Sequence, residues 1–155
     1  MKKTNAARIL DQLRINYELL EYEVDESDLS AIHLAEKAGI PINQVFKTLV
    51  LEGDKSGYFV CIIPGSAVIN LRKAALASSN KKVAMIKMED LEQVTGYIRG
   101  GCSPLGMKKS LSVYVDEAAF KRNFIYVSAG KRGTQIKLAP YDLMMACKAT
   151  KAEII

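Results

Sequence analysis

A glycine-rich segment at residues 96–109 is the strongest candidate for chemistry in this sequence. It reads GYIRGGCSPLGMKK, with cations at Arg99, Lys108 and Lys109. Glycine adopts backbone conformations closed to other residues and lets a ligand approach the main-chain amides closely. A row of such amides can bind an oxyanion or a phosphate. The alternative is a tight connection between two strands that has no ligand.

A second segment, residues 128–134, reads SAGKRGT and also combines glycine with cations. Neither segment has the spacing of a Walker A phosphate loop or of a dinucleotide-binding loop. We call residues 96–109 the first glycine loop and residues 128–134 the second glycine loop. If the two loops meet, their basic residues could contact a nucleic-acid backbone, whereas a solvated surface is the alternative. Those residues are Lys108, Lys109, Lys131 and Arg132.

Two polar residues on predicted strands are candidates for a site. Lys47 shares one strand face with Leu49 and Leu51, so its cation either extends past a sheet edge or faces a polar cavity. A lysine in a cavity can bind a carbonyl or phosphate oxygen. Ser128 ends a strand next to a loop, where it could act in a site or bond its own backbone.

The chain offers no recognisable catalytic triad. His33 is the only histidine and lies among apolar residues of a predicted helix, which favours a packed or surface position. Cys102 lies near Arg99 and Lys108, which could lower the pKa of its thiol, but packing beneath the loop is the favoured interpretation. The three cysteines form no CxxC pair, so we expect reduced thiols, no metal site and no cofactor.

Length and composition favour a single globular domain spanning residues 1–155. Hydrophobic residues make up 49% of the chain and charged residues 25%. No apolar run reaches the roughly 20 residues that cross a bilayer. The N-terminus leads into an amphipathic pattern and not into a signal core, so we expect a cytoplasmic protein. The net charge of +5 permits an RNA partner without requiring one.

The hydrophobic pattern predicts a mixed α/β fold with a largely antiparallel or mixed sheet. A loop at residues 53–57 predicts a hairpin between two β-rich runs. Predicted helices occupy residues 4–15, 31–38, 71–77, 89–94 and 141–149. Predicted strands occupy residues 17–23, 46–52, 58–63, 83–86, 111–115, 123–127 and 134–138, with an edge strand at 152–155.

Three motifs in register resemble the YbaK/EbsC family of free-standing aminoacyl-tRNA deacylases. They are FKTLV at residues 46–50, TGY with GGxSPLG across residues 95–106, and IYVSAGKRG at residues 125–133. The resemblance extends from the first helix to APYDL at residues 139–143. It implies a compact α/β fold with a barrel-like mixed sheet, related to the editing insertion domain of bacterial prolyl-tRNA synthetase. It also implies removal of wrongly attached amino acids from tRNA, mainly cysteine from Cys-tRNA(Pro), with Cys-tRNA(Cys) as a further candidate substrate.

The resemblance assigns roles to particular residues. Lys47 matches the family's essential lysine, and Gly100 and Gly101 match the loop that offers backbone amides. The residues implied to shape the pocket are Tyr22, Thr48, Ser128 and Asp142.

Three positions depart from the family pattern. The position of Cys102 is commonly aliphatic in the family, and Ala129 replaces a frequent glycine. The surroundings of Tyr22 follow the pattern only in part. The departure at Cys102 supports packing and counts against a nucleophilic thiol.

The family mechanism would let the substrate's own cysteinyl thiolate attack its ester carbonyl, so that the protein needs no nucleophile. The implied partners are tRNA and prolyl-tRNA synthetase, with neither membrane nor DNA. One alternative is a deacylase for another mischarged tRNA, such as Ala-tRNA(Pro), in which water attacks. Another is a non-catalytic module that binds tRNA or a synthetase, and a third is a hydrolase that uses Cys102.

Overall fold

Five α-helices form within residues 3–155, which are the residues described by the computed structural model. Met1 and Lys2, which open the predicted N-terminal segment, lie outside the described residues. The helices are α1 (Asn5–Gln12), α2 (Ala31–Ala38), α3 (Leu71–Ala77), α4 (Met88–Thr95) and α5 (Pro140–Cys147). None of these helices is long and apolar enough to cross a membrane.

Short polar caps set the helix boundaries. The hydroxyl of Thr4 accepts a hydrogen bond from the Ala7 amide, and the side chain of Asn70 accepts one from the Lys73 amide. Each bond satisfies an amide that the first helical turn leaves unpaired. Gly39 ends α2 at φ +70°, a left-handed conformation that glycine adopts without strain. Helices α2 and α3 therefore have the bounds that the sequence predicts.

Eight strands form two sheets. The strands are β1 (Glu18–Glu21), β2 (Phe46–Gly53), β3 (Gly57–Pro64), β4 (Val83–Met85), β5 (Val113–Asp116), β6 (Ile125–Ser128), β7 (Thr134–Leu138) and β8 (Thr150–Ala152). The five-stranded sheet has the order β4-β2-β3-β5-β8, and the three-stranded sheet has the order β1-β7-β6.

Antiparallel pairs predominate, and β2 and β3 form the hairpin that the turn at residues 53–57 predicts. The pairs of β5 with β3 and with β8 are parallel. These observations confirm the mixed, largely antiparallel α/β class. The barrel-like closure needs correction, because the strands form two separate ordered sheets that are not closed on each other.

The two faces of the β2–β3 hairpin enter different hydrophobic clusters. Val50, Val60 and Ile62 join the larger core, which also takes side chains from β6 and β7. Leu51 and Phe59 point into a smaller core beneath α3 and the C-terminal residues. Since both faces are covered, the hairpin is a rigid element that can hold polar groups in fixed positions.

The first half of β2 keeps one edge open. Strand β4 pairs with β2 only over Leu51–Gly53, and an isolated bridge joins Val45 to Tyr126. Between these two points, residues 46–49 pair on that edge with no strand among residues 3–155. Because successive side chains of a strand point to opposite faces, an open edge gives a neighbouring cavity access to both.

Candidate active site

A cleft of about 500 Å³ lies along the open edge of β2. Lys47 and Thr48 line it from β2, Gly100 lines it from the first glycine loop, and Ser128 lines it from the end of β6. Residues from the segment 29–34, at the start of α2, form a further wall. The structure therefore gathers four of the residues predicted from the sequence around one cavity.

Lys47 carries the positive charge on the β2 side of this cleft. Burial lowers the pKa of its ammonium group, and no carboxylate or hydrogen-bond acceptor among the described residues offsets that effect. An unpaired, partly desolvated ammonium attracts an anionic or carbonyl oxygen more strongly than a fully solvated one does. The sequence allowed Lys47 either to extend past a sheet edge or to face a cavity, and the structure places it in the cleft lining.

Two buried acceptor atoms in the cleft lining have no hydrogen-bond partner among the described residues. They are Oγ1 of Thr48 and Oε1 of Gln135, and Gln135 is only 3% exposed. An unsatisfied buried polar group costs about 1–3 kcal/mol. A ligand that brings N–H donors into the cleft would recover that cost.

Gln135 is the residue that the sequence analysis missed. It lies in β7 opposite Ser128 of β6, within a run that resembles an ordinary strand. The available signal was a glutamine between Thr134 and Ile136 on a predicted strand. Burying an unpaired amide is costly, so a glutamine at such a position indicates a candidate ligand contact.

The first glycine loop contains a tight turn at residues 98–101. The Gly101 amide donates to the Ile98 carbonyl at 3.0 Å, and Gly100 has φ +83°. This combination is that of a type II turn, whose third residue needs a positive φ. The Gly101 amide is therefore engaged within the turn. The oxyanion-binding roles implied for Gly100 and Gly101 stay predictions. No described residue accepts a hydrogen bond from the Gly100 amide.

The two glycine loops meet, as the sequence analysis required for a shared site. A β-carbon on Gly101 would lie 3.0 Å from the backbone nitrogen of Arg132. A β-carbon on Gly130 would lie 2.9 Å from the ring of Tyr97. Glycine is thus needed at both positions because the loops approach more closely than a side chain allows.

The four predicted RNA-contacting cations do not share one environment. Lys108, Lys109 and Lys131 are exposed and lie outside the cleft lining. Arg132 is half-buried, pairs with the carboxylate of Glu26 and donates from Nε to the Arg99 carbonyl at 2.8 Å. Arg99 contributes a second cation to the cleft lining.

Tyr22 and Asp142 do not line the main cleft. Tyr22 borders a small adjoining hollow, together with His33 and Gly100. Asp142 lies in the first turn of α5. His33 is half-buried beside the carboxylates of Asp25 and Asp28, at 3.5 Å and 3.7 Å. The pocket roles implied for Tyr22 and Asp142 remain predictions.

Ser128 and Cys102 both line the cleft, and neither side chain is an activated nucleophile. Ser128 Oγ accepts a hydrogen bond from the Gly130 amide at 3.2 Å, so it both lines the cleft and bonds its own backbone. Burial raises the pKa of the Cys102 thiol to about 11, although the Thr95 hydroxyl opposes the shift. At neutral pH the thiol is protonated, which makes it a weak nucleophile.

The cleft is equipped to stabilise negative charge. It offers a lysine ammonium, an arginine guanidinium and a glycine amide as donors, together with two acceptors for N–H groups. Its lining includes no histidine and no carboxylate that could act as a general base. Such a site favours a reaction in which an oxyanion develops and the nucleophile comes from the substrate or from water.

Comparison with known proteins gives a family and a close relative whose matches each span most of the chain. The sequence profile of the aminoacyl-tRNA editing domain family matches residues 26–146. EbsC of Enterococcus faecalis carries a provisional assignment as a Cys-tRNA(Pro)/Cys-tRNA(Cys) deacylase. It is 48% identical over 153 residues, which are 99% of this chain and 93% of EbsC.

Two more distant similarities concern prolyl-tRNA synthetase. A crystal structure provisionally described as a trans-editing enzyme for prolyl tRNA synthetase has the same fold, with a TM-score of 0.82 at 22% identity. The alignment covers 99% of this chain and 98% of that protein. The proline–tRNA ligase of Fervidobacterium nodosum is 28% identical over 79 residues, which are 51% of this chain and 14% of the ligase.

Proposed function

The chain belongs to the aminoacyl-tRNA editing domain family, and on that premise we propose that it removes cysteine from mischarged Cys-tRNA(Pro). The observation that carries the proposal is a single cleft that joins Lys47, the free Gly100 amide and two unpartnered acceptors. The name of the 48% identical relative supports the choice of cysteine over other amino acids.

The aminoacyl ester of the tRNA end would enter the cleft with its carbonyl oxygen toward the donors. Lys47 and the Gly100 amide would bind that oxygen as it becomes negative. The α-ammonium group of the amino acid would donate to Oε1 of Gln135 and Oγ1 of Thr48, which lack partners in the free protein. These contacts orient the acyl group, and orientation is a large part of what an intramolecular reaction needs.

In the proposed reaction the substrate supplies the nucleophile. The cysteinyl thiolate sulfur bonds to the ester carbonyl carbon, and the carbonyl oxygen carries the negative charge in the tetrahedral intermediate. The bond between that carbon and the ribose oxygen then breaks, and the ribose oxygen takes a proton from water. The products are uncharged tRNA and a strained thiolactone ring, which water opens to cysteine.

A panel of mischarged tRNAs tests this proposal. The purified protein is incubated with Cys-tRNA(Pro), S-methylcysteinyl-tRNA(Pro), Ala-tRNA(Pro) and Pro-tRNA(Pro), with and without prolyl-tRNA synthetase. We expect deacylation of the cysteinyl substrate alone, because methylation removes the nucleophile. Equal cleavage of S-methylcysteinyl and cysteinyl tRNA would show attack by water. Binding without turnover on the whole panel would show a non-catalytic module.

The synthetase belongs in the test because few cations beside the cleft are placed to hold the rest of a tRNA. Lys108, Lys109 and Lys131 lie outside the cleft lining, and the charge of Arg132 is paired with Glu26. The similarity to part of a proline–tRNA ligase makes that synthetase the partner of choice. We expect it to increase the deacylation rate by presenting the tRNA end, and we place the reaction in the cytoplasm.

Replacing Gln135 with methionine tests its proposed contact to the substrate amine. The change keeps the side chain's length and removes the unpartnered acceptor, so we expect unchanged or greater thermal stability. We expect KM for Cys-tRNA(Pro) to rise by about tenfold, since one hydrogen bond to a charged group is worth about 1.5–3 kcal/mol. Steady-state kinetics and thermal melts provide the two readouts. An unchanged KM would remove Gln135 from the substrate contact.

Replacing Cys102 with alanine separates the substrate thiol from the protein thiol. Because burial keeps the Cys102 thiol protonated at neutral pH, we expect Cys102→Ala to deacylate Cys-tRNA(Pro) at the wild-type rate. The rate is measured in single turnover, together with circular dichroism to confirm folding. A folded but inactive variant would instead identify Cys102 as the nucleophile.

A further inference from the structure

We propose that Arg132 is a positioning residue that holds the Gly100 amide in the orientation needed to bind the oxyanion. This inference rests on the proposed function, because it concerns the same cleft and the same reaction. The sequence analysis instead grouped Arg132 with the cations that could contact a nucleic-acid backbone.

The contacts of Arg132 are directed inward. Its Nε–H donates to the Arg99 carbonyl at 2.8 Å, and its guanidinium pairs with the carboxylate of Glu26. The side chain is only 26% exposed. One planar guanidinium therefore joins the second glycine loop to the first glycine loop and to the segment that leads into α2.

The carbonyl that Arg132 binds belongs to the peptide unit that carries the Gly100 amide. A trans peptide is planar, so its C=O and N–H point in opposite directions. A fixed Arg99 carbonyl thus fixes the direction of the Gly100 N–H. That amide has no acceptor among the described residues, and Gly100 lines the cleft.

This peptide unit is also the one that distinguishes two turn types. In the turn at residues 98–101, it lies between the two central residues, Arg99 and Gly100. Type I and type II turns differ by a flip of this central peptide, and glycine at the third position allows both. The bond from Arg132 holds the type II form, because a flipped carbonyl would face away from the guanidinium.

Packing around the turn supports the same role. A β-carbon placed on Gly100 would lie 3.4 Å from Arg132 Nε and 3.3 Å from the methyl carbons of Leu29. The turn therefore packs closely against both Arg132 and Leu29, and Leu29 is part of the cleft lining. Removing the guanidinium would leave space into which the turn can relax.

Lys131 provides a matched control. It is the adjacent cation in the same loop, but it is exposed and makes no hydrogen bond or ion pair within residues 3–155. If the second glycine loop contacts tRNA phosphates, Lys131 is the residue free to do so. The charge of Arg132 is already paired with Glu26.

The test compares Arg132→Met and Arg132→Lys with Lys131→Met, using single-turnover deacylation of Cys-tRNA(Pro) and tRNA binding over a salt series. We expect both Arg132 variants to lose about tenfold or more of the rate constant at saturating tRNA, because a small misplacement of a donor is that costly. Their tRNA affinity and its salt dependence should not change. Lysine is not expected to rescue the rate, since it lacks the planar fork that reaches both partners. Lys131→Met should weaken tRNA binding. Lys55→Met, which removes an exposed cation from the β2–β3 turn outside the cleft, should keep the rate constant.

Amide hydrogen exchange gives a readout that needs no substrate. We expect the Gly101 amide, which closes the turn, to exchange faster in Arg132→Met and Arg132→Lys than in the wild type and in Lys131→Met. An Arg132 variant with weaker tRNA binding, a reduced salt dependence and a normal rate constant would overturn the inference, as would unchanged exchange. A wild-type protein that deacylates no mischarged tRNA would refute the proposed function. The exchange comparison would still decide whether Arg132 holds the turn.

Discussion

Replacing Lys47 with methionine is expected to lower kcat/KM for Cys-tRNA(Pro) by about 100-fold or more, since removing one oxyanion donor typically costs 10²–10³. Methionine has a similar length and keeps the packing along the edge of β2, but it brings no charge into the cleft. No other lysine lines the cleft, so nothing in the described residues replaces this ammonium on the β2 side. Single-turnover deacylation measures the effect.

The same substitution is expected to leave the protein as stable as the wild type or more stable at neutral pH. Burial lowers the pKa of Lys47 below its ordinary value of 10.5, so the fold disfavours the charged form. Below the lowered pKa this penalty is fully present. It is relieved as the pH rises from the folded pKa to the unfolded one, because the unfolded chain then binds more protons. Methionine carries no such penalty, and thermal melts at neutral pH record the difference.

Lys55→Met is the control for Lys47→Met, because Lys55 is exposed in the β2–β3 turn and outside the cleft. It should retain full deacylation activity. A Lys47→Met protein that is folded and fully active would remove Lys47 from the mechanism. A Lys47→Met protein that is inactive because it is unfolded would contradict the stability argument.

Replacing Gly100 with alanine is expected to lower the deacylation rate constant by about tenfold or more, because the change displaces the proposed oxyanion donor. Gly100 has φ +83°, a conformation that costs an L-residue about 1–2 kcal/mol. The new methyl group would also press on Leu29 and Arg132. The turn therefore has two reasons to leave the type II form.

Gly57→Ala separates backbone strain from site geometry. Gly57 has φ +74° in the β2–β3 turn, and a β-carbon there would have no heavy atom within 4 Å. Both alanine variants should unfold at lower temperature, Gly100→Ala by at least as much as Gly57→Ala, but only Gly100→Ala should lose activity. Equal activity in the two proteins would show that the Gly100 turn has no part in the reaction.

Local sequence signals predict the elements whose ends are set by neighbouring residues. Ser30 and Gly39 bound α2, Asn70 begins α3, and the alternating pattern of residues 134–138 gives β7 its observed bounds. The capping bonds act within a few residues, so they can be recognised without the rest of the fold. The C-terminal strand shows the limit, because β8 ends at Ala152 where the sequence predicts an edge strand at 152–155.

The order and pairing of the strands could not be predicted from local sequence patterns. The parallel pairing of β8 with β5 and the division into two sheets depend on contacts between distant segments. The two short 3₁₀ helices, Ile42–Gln44 and Glu117–Lys121, were not predicted, because one turn of helix leaves little periodicity.

The residues of the site also divide into those that motifs predict and those that only the fold reveals. The family motifs imply one pocket for Lys47, Thr48, Gly100 and Ser128, and all four line the cleft. The details that distinguish Gly100 from Gly101, and Arg132 from Lys131, are hydrogen bonds formed only in the folded loops. Gln135 was missed because its lack of a partner is a property of the packed sheet.

The most direct test of the cleft as the substrate site is a crystal structure with a stable analogue, an adenosine that carries cysteine through an amide bond instead of the ester. The expected result is an acyl carbonyl oxygen that contacts Lys47 and the Gly100 amide, with the amino group at Gln135 and Thr48. An analogue bound outside this cleft, with these four residues left without a ligand, would contradict the proposed function and its mechanism.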